Sequence, residues 1–263
     1  MRPQRTETNI RYYTDEQLRK ILNVSLLNRN GYKISKIAEM TEADLKNEVI
    51  QIANQTHTSD NLLDALTQSM IDFDESRFER TLSTAILKNG FEESFTHTVF
   101  PFLVRTGILW AAGTIKPAQE HFITNLIRRK LSVAIDAQQE EPLKNARKFV
   151  LFLPEGETHE LMLLFIEFIL RKNRQRVAYL GNSLPIDDVA FINEVFQPDY
   201  FITYLTSAQT ELPLKKFVQK MSKSYPDRTL LIGGQQAETI QFRLPANVKV
   251  IHSVEDLMQY LSA

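Results

Sequence analysis

The sequence predicts an all-α part followed by an α/β part built on a flavodoxin-like parallel sheet. Three observations lead there. Between residues 42 and 140 apolar side chains recur near i, i+3, i+4 and i+7, the period of a helix face. From Lys148 the period changes, and five short apolar runs rich in β-branched and aromatic residues appear: "KFVLFLP", "RVAYLG", "YFITYL", "TLLIGG" and "VKVIHS". Helix-like segments separate most of these runs, and strands alternating with helices form a parallel sheet covered on both faces.

In chain order, Thr14 is a good N-cap for "DEQLRKILNVSLLNR", with Asp15 and Glu16 favourable in the first turn, and the "NGY" at 30–32 reads as its stop. A second short helix, "KISKIAEM", follows. Four longer helices are expected next: "TSDNLLDALTQSMIDFD", "ESRFERTLSTAILKNG", "FEESFTHTVFPFLVRTGILWAAG" and "KPAQEHFITNLIRRKLSVAIDA". Four consecutive antiparallel helices make a bundle. The polar, proline-containing "QQEEPLKNARK" reads as a linker. Beyond the first strand, "LMLLFIEFIL" is apolar nearly all round, as a helix pressed on a sheet should be. The expected domains are therefore 1–45, a basic segment of short elements; 46–140, the four-helix bundle; and 147–263, the sheet domain.

Composition narrows the function classes. With 43% hydrophobic and 24% charged residues the chain is an ordinary globular protein. It has no cysteine, which excludes disulfides, thiolate metal sites and a cysteine nucleophile. The longest apolar run is cut by Glu167 and falls short of the roughly 18 residues that span a bilayer, so no membrane partner is expected. The start "MRPQRTETNIRYY" lacks the apolar centre of a secretory signal, and a cytoplasmic location is the expectation. The formal net charge is −1, but Met1 to Lys36 holds eight Lys or Arg against three acidic residues. A basic end of that kind suits a nucleic-acid partner.

Ligands of open parallel sheets bind beyond the carboxyl ends of the strands. The first run is followed by "PEGETHELM", which puts Glu157 and His159 there; Thr203, Leu205, Gly233 and Gly234 follow the third and fourth runs. A carboxylate two residues before a histidine can accept its second ring N–H and strengthen the other nitrogen as a metal ligand, although a surface histidine near a helix start is the commoner case. The two glycines would let a flat ligand approach the backbone. The chain contains neither G-x-G-x-x-G nor a P-loop, so nucleotide hydrolysis has no support.

Glu157-Thr158-His159-Glu160-Leu161-Met162, then Thr203-Tyr204-Leu205, then Gly233-Gly234 resembles the pattern of cobalamin-binding domains: [D/E]-x-H-x-x-G, S-x-L and G-G at similar spacing. Threonine at 203 keeps the serine hydroxyl. Met162 stands where that family has a glycine against which the cofactor packs. The resemblance implies that cobalamin, as adenosylcobalamin or methylcobalamin, is held by Glu157, His159, Thr203, Leu205, Gly233 and Gly234, with His159 as the cobalt ligand.

Trp110, nine residues, then Glu120-His121 matches the W-x9-E-H of the helical cap that precedes this domain in part of the family. There the tryptophan covers the upper ligand and the Glu and His contribute to its pocket; Ala111, Ala112 and Gly113 would leave it room. In light-sensing members a histidine follows the tryptophan and captures cobalt; here Ala111 removes that bis-histidine photoproduct.

The basic end is similar to the second half of a MerR-type DNA-binding domain, a partial winged-helix segment. Arg5, Asn9, Arg11 and Tyr13 match the wing's R-x-x-x-N-x-R-x-Y pattern. Arginines and a tyrosine in a turn contact phosphates and position a protein on DNA without reading bases. In the family the helix-turn-helix precedes the wing, so the chain as written is expected to bind DNA weakly.

Together the resemblances imply a non-enzymatic transcriptional regulator of the MerR type with a cobalamin-binding sensor, working as a homo-oligomer, dimer or tetramer. Two other functions suit the same build. One is a cobalamin-independent regulator acting through protein contacts, motivated by Met162; the other is a corrinoid carrier for methyl transfer, against which the basic wing argues.

Overall fold

The computed structural model describes residues 4–5, 11–12, 20–21, 23–24, 27–28, 30–55, 60–207 and 211–261. The chain divides into two compact units, Met1–Leu126 and Ile127–Ala263. Among the described residues no helix is long and apolar enough to cross a membrane.

In the first unit two short antiparallel strands, β1 (Gln4–Arg5) and β2 (Arg11–Tyr12), pair Arg5 with Arg11 and Gln4 with Tyr12. Helices α1 (Ile34–Glu39), α2 (Glu42–Gln55), α3 (Asp60–Asp72) and α4 (Glu75–Asn89) follow. Next come α5 (Phe91–Ser94), a π-helical turn (Phe95–Val99) and α6 (Phe100–Ala111), in line with the single long helix expected there. Local chemistry sets the breaks. Asp74 caps α4 by accepting from Arg77 N–H at 2.9 Å, and Gly90 ends it at φ 86°. Helix α6 ends in a Schellman motif: Gly113 N–H bonds the Trp110 carbonyl and Thr114 N–H the Leu109 carbonyl, with Gly113 at φ 69°.

Helix α2 is additional to the four bundle helices expected from the sequence. Its Leu45 and Val49 are buried with Leu27, Ile37 and Ala112 in a small core of their own. The main core of this unit includes Leu63, Leu66, Met70, Phe78, Leu82, Phe95 and Phe102.

Helix α7 (Pro117–Asp136) runs across the division between the units. Pro117 suits its first turn, and Lys116 and Gln119 close a reciprocal cap, Lys116 N–H donating to Gln119 Oε1 at 2.8 Å and Gln119 N–H to the Lys116 carbonyl at 3.0 Å.

All five expected strands are present: β3 (Lys148–Leu151), β4 (Arg176–Tyr179), β5 (Tyr200–Tyr204), β6 (Thr229–Gly233) and β7 (Val248–Val250). They form one parallel sheet in the order β4-β3-β5-β6-β7, the flavodoxin-like order. Between them lie α8 (Leu161–Lys172), α9 (Val189–Phe196), α10 (Glu211–Ser224) and α11 (Gln235–Glu238), and α12 (Val254–Met258) follows β7. Helix α8 is buried from Leu163 to Leu170, Glu167 included, and that charge is met by Arg171 at 2.8 Å. Asp199 accepts from Lys148 N–H at 2.8 Å, tying the starts of β3 and β5 together. The strand order sets the position of the site, because the carboxyl ends of β3 and β5 are neighbours and their loops meet.

Candidate functional site

The loop after β3 and the loop after β5 meet at the carboxylate of Glu157. Its side chain has no exposed surface. Oε1 accepts from Thr158 N–H at 2.9 Å, His159 N–H at 3.0 Å and Ser207 Oγ at 3.1 Å, and lies 2.6 Å from His159 Nδ1. Oε2 accepts from Thr206 N–H and Ser207 N–H, each at 2.8 Å. Burial pushes the carboxyl upward, but the bonds from His159, Ser207 and Thr206 outweigh it and hold the group well below the usual carboxylate range. Glu157 is therefore an anion at neutral pH.

An anionic acceptor at Nδ1 fixes the His159 tautomer. An ionised carboxylate can only accept, so Nδ1 carries a proton and in the neutral ring the lone pair is on Nε2; the imidazole is 57% exposed. A histidine oriented in this way can serve as a metal ligand of raised basicity. It offers one nitrogen, which suits a metal whose other positions are filled by its own macrocycle.

Thr203 and Leu205 are buried at and just beyond the end of β5. The Thr203 hydroxyl has no hydrogen-bond partner among the described residues. A buried hydroxyl left so costs about 1–3 kcal/mol, a penalty that a ligand group bonding to it would remove. The orphaned hydroxyl and the oriented His159 both fit a cobalamin.

The two glycines also have a packing role. A Cβ at Gly233 would meet the Tyr204 ring at 2.6 Å, and one at Gly234, where φ is 95°, would strike the Leu205 backbone. Gln236 N–H donates to the Leu205 carbonyl at 3.0 Å and Leu205 N–H to the Gly233 carbonyl at 2.9 Å. Their bareness thus serves packing of the β6 turn on the β5 turn. Met162 is the second residue of α8 and is half-buried.

In the first unit Trp110 is half-buried in the last turn of α6, and Gly113 is required by that helix end, while Ala112 is buried in the small core. Glu120 and His121 lie in the first turns of α7. Glu120 accepts from the Thr124 hydroxyl at 2.7 Å, and its other oxygen is 3.8 Å from His121 Nδ1. His121 is largely exposed. Arg5 and Arg11 face each other across the β1–β2 pair, whereas Asn9 and Tyr13 lie outside the described residues.

Sequence reasoning did not single out Thr206 and Ser207, although "TYLTS" places two hydroxyl residues directly after Leu205. It also missed Glu160, whose carboxylate is 2.9 Å from Arg128 Nε.

Residues 62–135 match the family described as B12 binding domain, and residues 1–44 match the MerR HTH family regulatory protein. Trp110, Glu120 and His121 all fall within the first of these matches. The chain is similar to the HTH-type transcriptional repressor CarH of Myxococcus xanthus, 25% identical over 249 residues that cover 91% of this chain and 81% of that protein. Its fold is similar to that of the monomethylamine corrinoid protein of Methanosarcina barkeri, with a TM-score of 0.62 at 14% identity over 78% of this chain and 99% of that one. The chain thus joins a segment that matches the MerR HTH family to a helical segment that matches a B12 binding domain family.

Proposed function

We propose that this protein regulates transcription by binding DNA, and that cobalamin held in its sheet domain is the signal it senses. The observation that carries the reading is the Glu157–His159 pair, in which the 2.6 Å contact at Nδ1 directs coordination to Nε2. Bound cobalamin would supply a cobalt centre with an exchangeable upper ligand. His159 would hold the cobalt, Thr203 would bond a polar group of the cofactor, and Leu205 would give apolar contact. Gly233 and Gly234 shape the same crevice by letting its two turns pack. Trp110, Glu120 and His121 complete the reading as the upper-ligand group of the helical part.

DNA contact is assigned to Arg5, Asn9, Arg11 and Tyr13, acting on phosphates. Binding of that kind falls steeply with added salt, so the slope of log affinity against log salt counts the contacts. The protein works as a regulator and not as an enzyme, in a homo-oligomeric form.

The test is a visible absorption spectrum after dark incubation with adenosylcobalamin and gel filtration. Retained cobalamin that is lost in His159→Ala supports the reading. Colourless protein whose colour appears in Met162→Gly would mean that the methionine closes the pocket, and the regulator then acts without cobalamin.

A further inference from the structure

Glu160 directly follows His159 and is the N-cap residue of α8. Its side chain makes no cap bond to that helix. Its oxygens are engaged elsewhere. Oε1 forms an ion pair with Arg128 Nε at 2.9 Å, and Oε2 accepts from Tyr179 OH at 3.1 Å and Asn182 Nδ2 at 3.3 Å. The carboxylate is 14% exposed, so its charge is largely out of water and depends on Arg128 for compensation. Burial first, and then the Glu160 charge, push the Tyr179 phenol up, which keeps it a donor.

Arg128 comes from the part of α7 that belongs to the second unit, and α7 is one continuous helix from Pro117, with Glu120 and His121 in its first turns. The turn that carries the His159 ring, residues 157–160, is closed by hydrogen bonds on both sides of it. Glu157 bonds the N–H groups of Thr158 and His159, and Glu160 N–H donates to the Thr158 carbonyl at 3.0 Å.

We propose that Arg128 is a positioning residue whose ion pair with Glu160 fixes the His159 turn and couples ligand binding at His159 to the order of α7. The inference rests on His159 as the cobalamin ligand and adds its regulation. By linkage, whatever order the ligand confers on α7, an ordered α7 returns as affinity for the ligand.

The test uses the full chain, hydroxocobalamin as the probe, and the variants Arg128→Met, Glu160→Gln, their double variant and Arg128→Lys. Nitrogen NMR of the histidine rings without cobalamin reads the His159 tautomer. Wild type should show the Nδ1–H form alone, each single variant a mixture, the double variant no more mixing than either single, and Arg128→Lys a partial return. With hydroxocobalamin added, amide exchange of residues 127–136 should slow in wild type, and that response should shrink roughly tenfold in Arg128→Met, within the range usual for coupled sites. Unchanged tautomers in both single variants, or ligand-induced protection that survives in Arg128→Met, would overturn the coupling. If wild type retains no more hydroxocobalamin than His159→Ala, the cofactor reading fails and the coupling fails with it, while the ring spectra still decide whether Arg128 positions the His159 turn.

Discussion

Glu157 Oε1 stands 2.6 Å from His159 Nδ1 while Glu157 Oε2 bonds the N–H groups of Thr206 and Ser207, so one buried carboxylate both orients the imidazole and joins two loops of the sheet. Glu157→Ala leaves these donors unmatched in a closed space. It should lower folding stability by about 3 kcal/mol or more, read as a drop in the urea midpoint. A loss below about 0.5 kcal/mol would show that water replaces the carboxylate without cost.

The same group sets an acid dependence with a definite sign. Its folded pKa is depressed below the ordinary 4.5, so the unfolded chain takes up the proton first as pH falls. The stabilisation it contributes is complete above that ordinary value and is lost progressively as pH falls below it towards the folded value. The stability difference between wild type and Glu157→Gln should accordingly be flat from pH 7 to about pH 5 and shrink at lower pH. A difference independent of pH down to acid unfolding would mean that the folded pKa is not depressed.

At the adjacent turn the two glycines should respond differently to alanine. The obstacle at Gly233 is the ring of Tyr204, a side chain that can move, whereas at Gly234 it is the Leu205 backbone combined with φ 95°. Gly234→Ala should cost about 3 kcal/mol or prevent folding, because strain and a backbone clash add. Gly233→Ala should cost less and be relieved by Tyr204→Leu. Equal costs at the two positions, with no relief from Tyr204→Leu, would count against this account.

Much of the sheet domain was legible in the sequence because each strand is a short β-branched or aromatic run closed by a turn residue, and α8 is apolar nearly all round. Helix α2 was not singled out. It buries only a narrow stripe through Leu45 and Val49, and the partner that makes this stripe matter, Ala112, is far along the chain. The Glu157–His159 pair was legible because its members are two residues apart. Thr206 and Ser207 reach Glu157 only through the β3–β5 pairing, and Arg128 reaches Glu160 only through tertiary packing, so neither leaves a local pattern. Gly233 and Gly234 were legible as positions that exclude a Cβ, but the atoms that exclude it are the protein's own.

His252 forms a second histidine–carboxylate pair at the same end of the sheet, Nδ1 lying 2.6 Å from Glu238 Oε1. The bond to Glu238 raises the His252 pKa above 6.5. A raised folded value contributes stability that is present below 6.5 and lost as pH rises through the folded value, and this exposed pair should contribute little to the whole. Titration of the ring by NMR should show Glu238→Gln returning the midpoint towards 6.5. No movement of the midpoint would remove Glu238 as the cause.

Thr203 separates folding from ligand binding. Its hydroxyl is buried and has no partner among the described residues, so in protein without ligand it is a cost. Thr203→Val keeps the shape and removes the orphan; stability should be unchanged or should rise by about 1 kcal/mol in the urea midpoint. With cobalamin the order reverses, because the valine offers no hydrogen bond to the cofactor. Retention of adenosylcobalamin should weaken by about 5–10-fold, the effect of one lost neutral hydrogen bond. A variant less stable without ligand would show that the hydroxyl is paired after all, and one that retains cobalamin as wild type does would place the cofactor away from β5.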